Sequence, residues 1–235
     1  MGSVENTLGR LLLEADNDPE RKRQLAAIRY YINLLISRLD QEWFSESLGI
    51  TNYLTLLDQL RRQKQEVLLV TFNYDRLIER ALRGLGIAIE DLSHYVQDAT
   101  FKLFKLHGSV HWGREVEITI ADVKEKSVWD IGTELIQNAA ELKISDRFHI
   151  VDSQPIGKYA EIPLIPAIAI PVVTKTTFEC PPEHIEYLRA NLGRATKALI
   201  VGWRATEEHF LSLWRDNSGD KIKLSWAISE KEMRF

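Results

Sequence analysis

Residues 4–64 carry the apolar periodicity of helices. Asp18 and Pro19 predict a helix start, because an aspartate caps free backbone N–H groups and proline is tolerated in the first turn. The apolar residues that follow recur at intervals of three and four and predict one buried face: Leu25, Ile28, Ile32, Leu35 and Leu39. A further helix is predicted from about Thr51 to Arg62, and its inner side comprises Tyr53, Leu54, Leu57 and Leu60. We interpret residues 1–64 as a helical layer or insertion, or an oligomer surface, without chemistry of its own.

From Glu66 onward, short apolar runs alternate with helical segments. The run Val67–Val70 predicts a strand that helices cover on both faces. The further predicted strands are 101–106, 115–120 (an edge strand), 148–151, 197–201 and 222–228, and the predicted helices are 74–83, 129–142, 183–191 and one after residue 205. Pro163, Pro166 and Pro171 favour an extended lid or edge segment over a central strand. The alternation predicts an α/β fold for residues 65–235, with a mostly parallel sheet and helices on both faces, in one compact unit with the helical layer.

Composition narrows the class of protein. The formal charge of −4 over 235 residues argues against a general nucleic-acid binder. The sequence has no apolar run of about 18 residues, so we expect no membrane span. The first residues lack the basic and apolar regions of a signal peptide. The single cysteine, Cys180, excludes an internal disulfide and a cysteine-built zinc cage. We therefore expect a cytoplasmic protein.

Three loops are candidates for chemistry, because ligands of such sheets bind beyond the carboxyl ends of the strands. They are residues 71–75, 107–113 and 202–206. In the first loop, Asn73 is predicted at or beside a helix N-cap, and Asp75 suits the positive end of the helix dipole. This structural explanation stands beside a ligand-binding one.

The second and third loops carry an imidazole and a glycine turn. His107 ends a predicted buried strand, where an imidazole could transfer protons near neutral pH or serve a structural role. His107 and His111 are four residues apart, but no third metal ligand is evident, so we expect no metal. In the third loop, Gly202 would let the backbone approach a ligand at a helix N-terminus, although a cap by Thr206 explains this loop equally well.

The order of these motifs resembles the SIR2-like NAD-consuming domains, which are related to sirtuins and occur largely in bacterial antiphage defence. The resemblance rests on Thr71-Phe72-Asn73-Tyr74-Asp75, on Lys105-Leu106-His107-Gly108 and on a late apolar strand with Gly202, and it spans roughly residues 50–235. It implies a Rossmann-like NAD-binding fold and cleavage of the bond between nicotinamide and ribose, an NAD+ glycohydrolase activity with NAD as substrate. It also implies that Asn73 and His107 match the family's essential asparagine and histidine. The residues that it implies to line the NAD pocket are Thr71, Phe72, Asp75, Gly108, Ser109, Gly202 and Trp203.

Two departures from the family keep a second hypothesis open. Sirtuin deacylases usually hold zinc with four cysteines, so no zinc is expected here, and a zinc-free protein deacylase that uses the same asparagine and histidine stays open only as a third, less favoured hypothesis. The family's first strand ends in a Gly-Ala-Gly-x-Ser turn, and this chain has no counterpart, so we expect the sheet to lack that strand, in a fragment or a degenerate relative. The alternative is a non-catalytic module of the same fold that binds NAD, ADP-ribose or a protein partner, which Trp203 and Arg204 at the third loop favour. A homo-oligomer or a defence-system partner protein is compatible with either hypothesis.

Overall fold

The computed structural model describes residues 4–47, 51–152, 154–172, 177–203, 205–217 and 223–227. Its helices are α1 (Val4–Ala15), α2 (Pro19–Glu46), α3 (Asn52–Arg62), α4 (Leu77–Gly84), α5 (His94–Gln97), α6 (Val128–Gln137), α7 (Pro182–Leu192) and α8 (Glu208–Asn217). Its strands are β1 (Val67–Thr71), β2 (Phe101–Lys105), β3 (Gly108–Glu117), β4 (Lys143–Ile150), β5 (Lys158–Tyr159), β6 (Ile162–Ile168), β7 (Lys197–Val201) and β8 (Lys223–Ala227). The predicted mixed α/β class is confirmed. Within the ranges given above, no helix has the combination of length and apolar character that crossing a bilayer requires.

The described strands form two small parallel sheets and one antiparallel sheet, rather than the single, mostly parallel sheet predicted. β1 pairs with β2 and β7 pairs with β8, both in parallel, whereas the antiparallel sheet has the order β4-β3-β6-β5. Gly108, at φ +87°, leads from β2 into β3 almost without a connection. Two strands that follow each other in the chain and pair in parallel need a crossover of about a dozen residues or more between them. The connection from β2 to β3 is far shorter, so β3 does not pair with β2 in parallel and joins another sheet instead.

One strand prediction in the middle of the chain was wrong. The predicted edge strand at 115–120 is the end of β3, which begins at Gly108 and lies between β4 and β6. The proline-rich stretch forms β6, which pairs with β3 between Leu164 and Ile168 and with the short β5 only at Ile162 and Pro163, so most of it is paired on one side, as predicted for an extended edge segment. Its prolines lie where a missing N–H is tolerated: Pro166 adjoins a register shift, and Pro163 is the second residue of the strand.

The buried face of α2 is polar and differs from the predicted apolar face. Asp18 caps the helix and Pro19 begins it, as predicted. The predicted face is only partly covered, since Leu35 and Leu39 are exposed. The face toward the sheet instead comprises Tyr30, Asn33, Ser37 and Asp40 in addition to Leu25. Hydrogen bonds decide this orientation: the Asn33 side chain donates to the Val110 carbonyl at 2.8 Å, and the Tyr30 hydroxyl donates to the Leu164 carbonyl at 3.2 Å.

The main apolar core lies around β1 and β2. Leu57 of α3 is buried in this core, and Tyr53, Leu54 and Leu60 pack against it, so the predicted inner side of α3 is confirmed. From β2 and the turn after it, Leu103, Phe104 and Leu106 are fully buried, and α7 and α8 close the core with Leu188, Leu192, Phe210 and Leu213. This packing fixes the end of β2, from which the second candidate loop begins.

Candidate functional site

A cavity of about 1160 Å³ lies between β1 and β7 and extends to the residues that follow their carboxyl ends. The described residues that line this end are Thr71, Phe72, Asn73, Tyr74, His107, Gly202, Trp203, Thr206 and Glu207. The cavity therefore brings the first loop, the third loop and the histidine of the second loop together. Parallel strands make this possible, because their carboxyl ends meet at one edge.

Asn73 is exposed at the cavity and does not cap a helix. The helix that follows begins only at Leu77, and the residue at its cap position, Arg76, makes no side-chain cap hydrogen bond. Asp75 takes the structural role instead, because its carboxylate accepts the Leu77 N–H at 3.1 Å. The Asn73 N–H donates to the Thr71 hydroxyl at 3.1 Å, which shapes the loop. The structural explanation offered by the sequence therefore does not apply to the Asn73 side chain.

Tyr53 of α3 lies beside the Asn73 side chain. Burial raises the pKa of the Tyr53 hydroxyl, the carboxylate of Asp75 raises this pKa further, and a hydrogen bond with the Asn73 side chain opposes the change. The phenol therefore stays neutral at physiological pH. This contact connects the helical layer to the first candidate loop, a connection that the sequence did not predict.

His107 lies at the floor of the cavity, where it is 3% exposed. Its carbonyl accepts the Ala169 N–H at 2.9 Å, which ties the end of β2 to the chain after β6. The imidazole lies between two rings: its centroid is 4.9 Å from that of Phe72 and 5.9 Å from that of His209. Aromatic walls therefore shield it from bulk water.

Phe72 joins the first loop to the third. Its ring stacks on Trp203 at 5.3 Å between centroids and meets Phe210 edge-on at 5.4 Å. The indole N–H of Trp203 donates to the Glu207 carboxylate, which also lines the cavity. The half-buried Trp203 thus has a fixed orientation and contributes an aromatic surface beside Asn73 and His107.

Three of the residues expected in the pocket do not line this cavity. Asp75 caps the helix start as described. Gly108 allows the positive φ at the start of β3, where a Cβ atom would lie 1.9 Å from the Ala167 carbonyl oxygen. Ser109 is fully buried, and its hydroxyl lies 2.9 Å from Nδ1 of His111. The contacts of these three residues are therefore structural and do not involve the cavity.

A buried ion pair contacts the backbone of the first loop. The Lys105 ammonium lies 3.0 Å from the Glu79 carboxylate and also donates to the carbonyl of Asp75. Glu79 accepts the Tyr95 hydroxyl at 3.0 Å, and the Tyr95 oxygen lies 3.2 Å from Nε2 of His111. Burial is the main cause that holds the pKa of His111 well below its usual range, and three nearby cations lower this pKa further. The imidazole is therefore neutral, and this network positions the backbone rather than facing the cavity.

Sequence reasoning missed three side chains at the site: Tyr53, Glu207 and His209. Tyr53 belongs to a helix that was assigned no chemistry, so its contact with Asn73 depends on tertiary packing. Glu207 and His209 follow the third loop by a few residues, and their position just beyond a strand end was an available signal. Across the described residues, no group of three or more His, Cys, Asp or Glu side chains is placed to hold a metal ion.

Comparison with known proteins identifies the family. The family model for the SIR2-like domain matches residues 67–229, about two thirds of the chain. The chain therefore belongs to the SIR2-like domain family, in which NAD-related activity is characteristic. No curated protein and no solved structure matches the chain. The match begins at β1 and includes all three candidate loops.

Proposed function

We propose that the chain is an NAD+ glycohydrolase that cleaves the bond between nicotinamide and ribose. The observation that carries the proposal is the convergence of Asn73 and His107 on one cavity at the carboxyl ends of β1 and β2. Family membership supplies the substrate class. The volume of the cavity and its aromatic lining suit a dinucleotide, since such sites are mostly apolar with a few fixed polar groups.

The reaction needs a group that positions water and a group that accepts a proton. The bond from C1′ of the ribose to the nicotinamide nitrogen breaks, and its electron pair leaves with nicotinamide. Water attacks C1′, so its oxygen stays on ADP-ribose and one proton is released. The Asn73 amide orients the water or a ribose hydroxyl, and the His107 imidazole accepts the proton. The shielded position of His107 favours transfer within the site over exchange with bulk water.

Glu207 adds a negative charge where the ribose becomes positively charged. Its carboxylate lines the same end of the cavity and is held by the Trp203 indole. As the C1′ bond breaks, an oxocarbenium-like charge develops, and a fixed carboxylate stabilises such a charge more in the transition state than in the ground state. Glu207→Gln is therefore expected to lower kcat more than it changes KM.

The cellular role that we propose is that of an antiphage defence effector, on the basis of the family resemblance. In bacteria that express the chain, phage infection should then deplete NAD, and the Asn73→Ala variant should prevent the depletion. Equal NAD levels in infected cells with and without the active chain would remove the defence role while leaving the enzymatic proposal intact.

The burial of His107 favours a second candidate function, a non-catalytic module that binds NAD or ADP-ribose. Asn73 is open to the cavity whereas His107 is almost closed, so a ligand could rest on Phe72 and Trp203 without reaching the imidazole. Arg204, which the sequence suggested for this function, lies outside the described residues. Binding of NAD with no release of nicotinamide would establish this alternative.

Release of nicotinamide from NAD, without any acylated peptide, tests the proposed function. The parent chain should release nicotinamide, and Asn73→Ala and His107→Ala should each reduce the rate by about 10²-fold or more, in the range of general acid–base contributions. Asn138→Ala at the C-cap of α6 and His94→Ala on α5 serve as matched controls, because neither residue lines the cavity. Equal rates for the parent and both site variants would refute the assignment of these residues.

A further inference from the structure

Arg29 of α2 carries a buried nitrogen that no other group satisfies within the part of the chain that the structure describes. The Nη1 atom of its guanidinium is buried and has no hydrogen-bond partner there. By contrast, Lys105 and Arg80 each have a carboxylate partner, at 3.0 Å and 2.6 Å. A guanidinium is permanently charged, and a buried charge without a partner destabilises a protein. Such a buried donor is a candidate for contact with a ligand.

Helical spacing places Arg29 between the cavity wall and the start of β3. Residues four apart lie on the same side of a helix, so Leu25, Arg29 and Asn33 form one row on α2. At one end of the row, Leu25 shares a buried apolar cluster with Val172, which lines the cavity. At the other end, the Asn33 side chain donates to the Val110 carbonyl of β3 at 2.8 Å. Arg29 occupies the middle of this row.

Tyr74 connects this part of α2 to the cavity, which it lines. Its carbonyl accepts the Val110 N–H at 3.0 Å, and its hydroxyl donates to the Ala169 carbonyl at 2.7 Å. Burial raises the pKa of the Tyr74 hydroxyl, the Arg29 charge opposes this change, and the Glu207 carboxylate adds to it. Arg29 and Glu207 therefore both lie within electrostatic range of Tyr74.

The carboxyl end of the cavity carries a negative charge. The Asp, Glu, Lys and Arg side chains among its described lining residues are Glu66, Arg194, Lys197 and Glu207. The first three lie at the amino ends of β1 and β7, where Arg194 pairs with Glu66 at 3.2 Å. Glu207 lies at the carboxyl end, where its carboxylate repels a phosphate. A phosphate-bearing ligand at this end therefore requires a cation nearby, and Arg29 supplies one.

We infer that Arg29 anchors the phosphate groups of a pyrophosphate-bearing nucleotide at the margin of the cavity beside Tyr74. Arg29 does not line the cavity itself, so a rotamer change of its long side chain turns the guanidinium toward the ligand, as is common when partners bind. The planar guanidinium then donates two parallel hydrogen bonds to phosphate oxygens. The identity of the nucleotide rests on the proposed function, whereas binding of the phosphates does not require catalysis.

Calorimetric binding to the full chain tests this role. ADP-ribose is the probe, and adenosine, which has no phosphate, is the control ligand. Arg29→Gln should weaken ADP-ribose binding by about tenfold or more, because hydrogen bonds between charged groups are lost, and should leave adenosine binding unchanged. Arg29→Lys keeps the charge without the planar fork, so it should bind ADP-ribose more tightly than Arg29→Gln. Arg38→Gln, exposed on the same helix, is the matched control and should bind both ligands like the parent.

Urea denaturation of the ligand-free chain separates a ligand contact from a structural one. Because Nη1 of Arg29 has no partner in the folded protein, removal of its charge leaves no group unpaired. Arg29→Gln should therefore unfold at the same urea concentration as the parent or at a higher one. Unfolding at a clearly lower concentration, with equal losses of ADP-ribose and adenosine binding, would assign Arg29 a structural role and overturn the inference.

The binding data also separate this inference from the proposed function. Equal affinity of the parent and Arg29→Gln for ADP-ribose would overturn the inference, because water alone would then satisfy the guanidinium, and release of nicotinamide by the parent would still support the glycohydrolase. A parent chain that does not bind ADP-ribose would overturn it as well. Binding of ADP-ribose that depends on Arg29, without release of nicotinamide from NAD, would contradict the glycohydrolase and support the phosphate anchor.

Discussion

Replacing Lys105 by Met should destabilise the protein more than the loss of any surface charge. The Lys105 and Glu79 side chains are 1% and 6% exposed, and their charged atoms are 3.0 Å apart. Without the ammonium, the Glu79 carboxylate remains buried, with the neutral Tyr95 hydroxyl as a remaining donor at 3.0 Å. Breaking one partner of a buried pair costs about 3–5 kcal/mol, whereas an exposed pair contributes about 0–1 kcal/mol. The loss is a large part of the roughly 5–15 kcal/mol that stabilises a typical domain.

Urea denaturation of three variants measures this effect. Lys105→Met should lower the free energy of unfolding by about 3–5 kcal/mol. The double variant Lys105→Met with Glu79→Leu removes the uncompensated charge, so it should lose less than the single variant, and we expect about 2 kcal/mol. Arg38→Met breaks an exposed pair with Glu42 and should leave the free energy of unfolding almost unchanged, because solvent screens such a pair. A double variant less stable than Lys105→Met would refute the buried-pair reasoning.

Three further predictions concern backbone, pH and ligand binding. Gly108→Ala should lower the free energy of unfolding, measured by urea denaturation, by about 3 kcal/mol or more, because the new Cβ would overlap the Ala167 carbonyl. Gly202→Ala, at φ +61° with open space around it, should lower it by only about 1–2 kcal/mol. The pKa of His111 is lower in the folded chain than its value of about 6.5 in the unfolded chain, so below about pH 6.5 the unfolded chain binds a proton that the folded chain does not. The free energy of unfolding should therefore fall with decreasing pH by up to about 1.4 kcal/mol per pH unit. The His111→Gln variant should flatten this slope. Trp203→Ala should weaken NAD or ADP-ribose binding about tenfold in calorimetry, through lost aromatic stacking.

Each of these predictions has a clear contrary outcome. Equal destabilisation by the two glycine variants would mean that the close approach at Gly108 is relieved elsewhere. An unchanged pH slope in His111→Gln would assign the acid sensitivity to other groups. Trp129, exposed on α6 and away from the cavity, is the control for Trp203. An equal loss of affinity in Trp129→Ala would show that the effect is not local.

The sequence predicted the elements whose periodicity and local chemistry agree. β1, β2 and β7 were predicted from short apolar runs, and the start of α2 from Asp18 and Pro19. The convergence of the first loop, the third loop and His107 followed from the general geometry of parallel strands. These features depend on neighbouring residues or on a rule for sheet edges, so a single sequence is sufficient to predict them.

The remaining features depend on tertiary contacts that the sequence does not show. The orientation of α2 is set by the bonds of Tyr30 and Asn33 to carbonyl groups of distant strands. Asn73 was expected near a helix cap, but the helix begins later and Asp75 caps it. β1 and β7 are only partly buried although their sequences are apolar. Burial of a strand depends on which elements pack against it, and the apolar pattern does not show this.

The central claim is that Asn73 and His107 act on one ribose in one step. Rates of nicotinamide release from Asn73→Ala, His107→Ala and the double variant test it most directly, since residues that act as a unit have strongly non-additive effects. We predict that the double variant is about as slow as the slower single variant. A double variant whose rate loss equals the product of the two single losses would contradict the claim, because the two residues would then act independently.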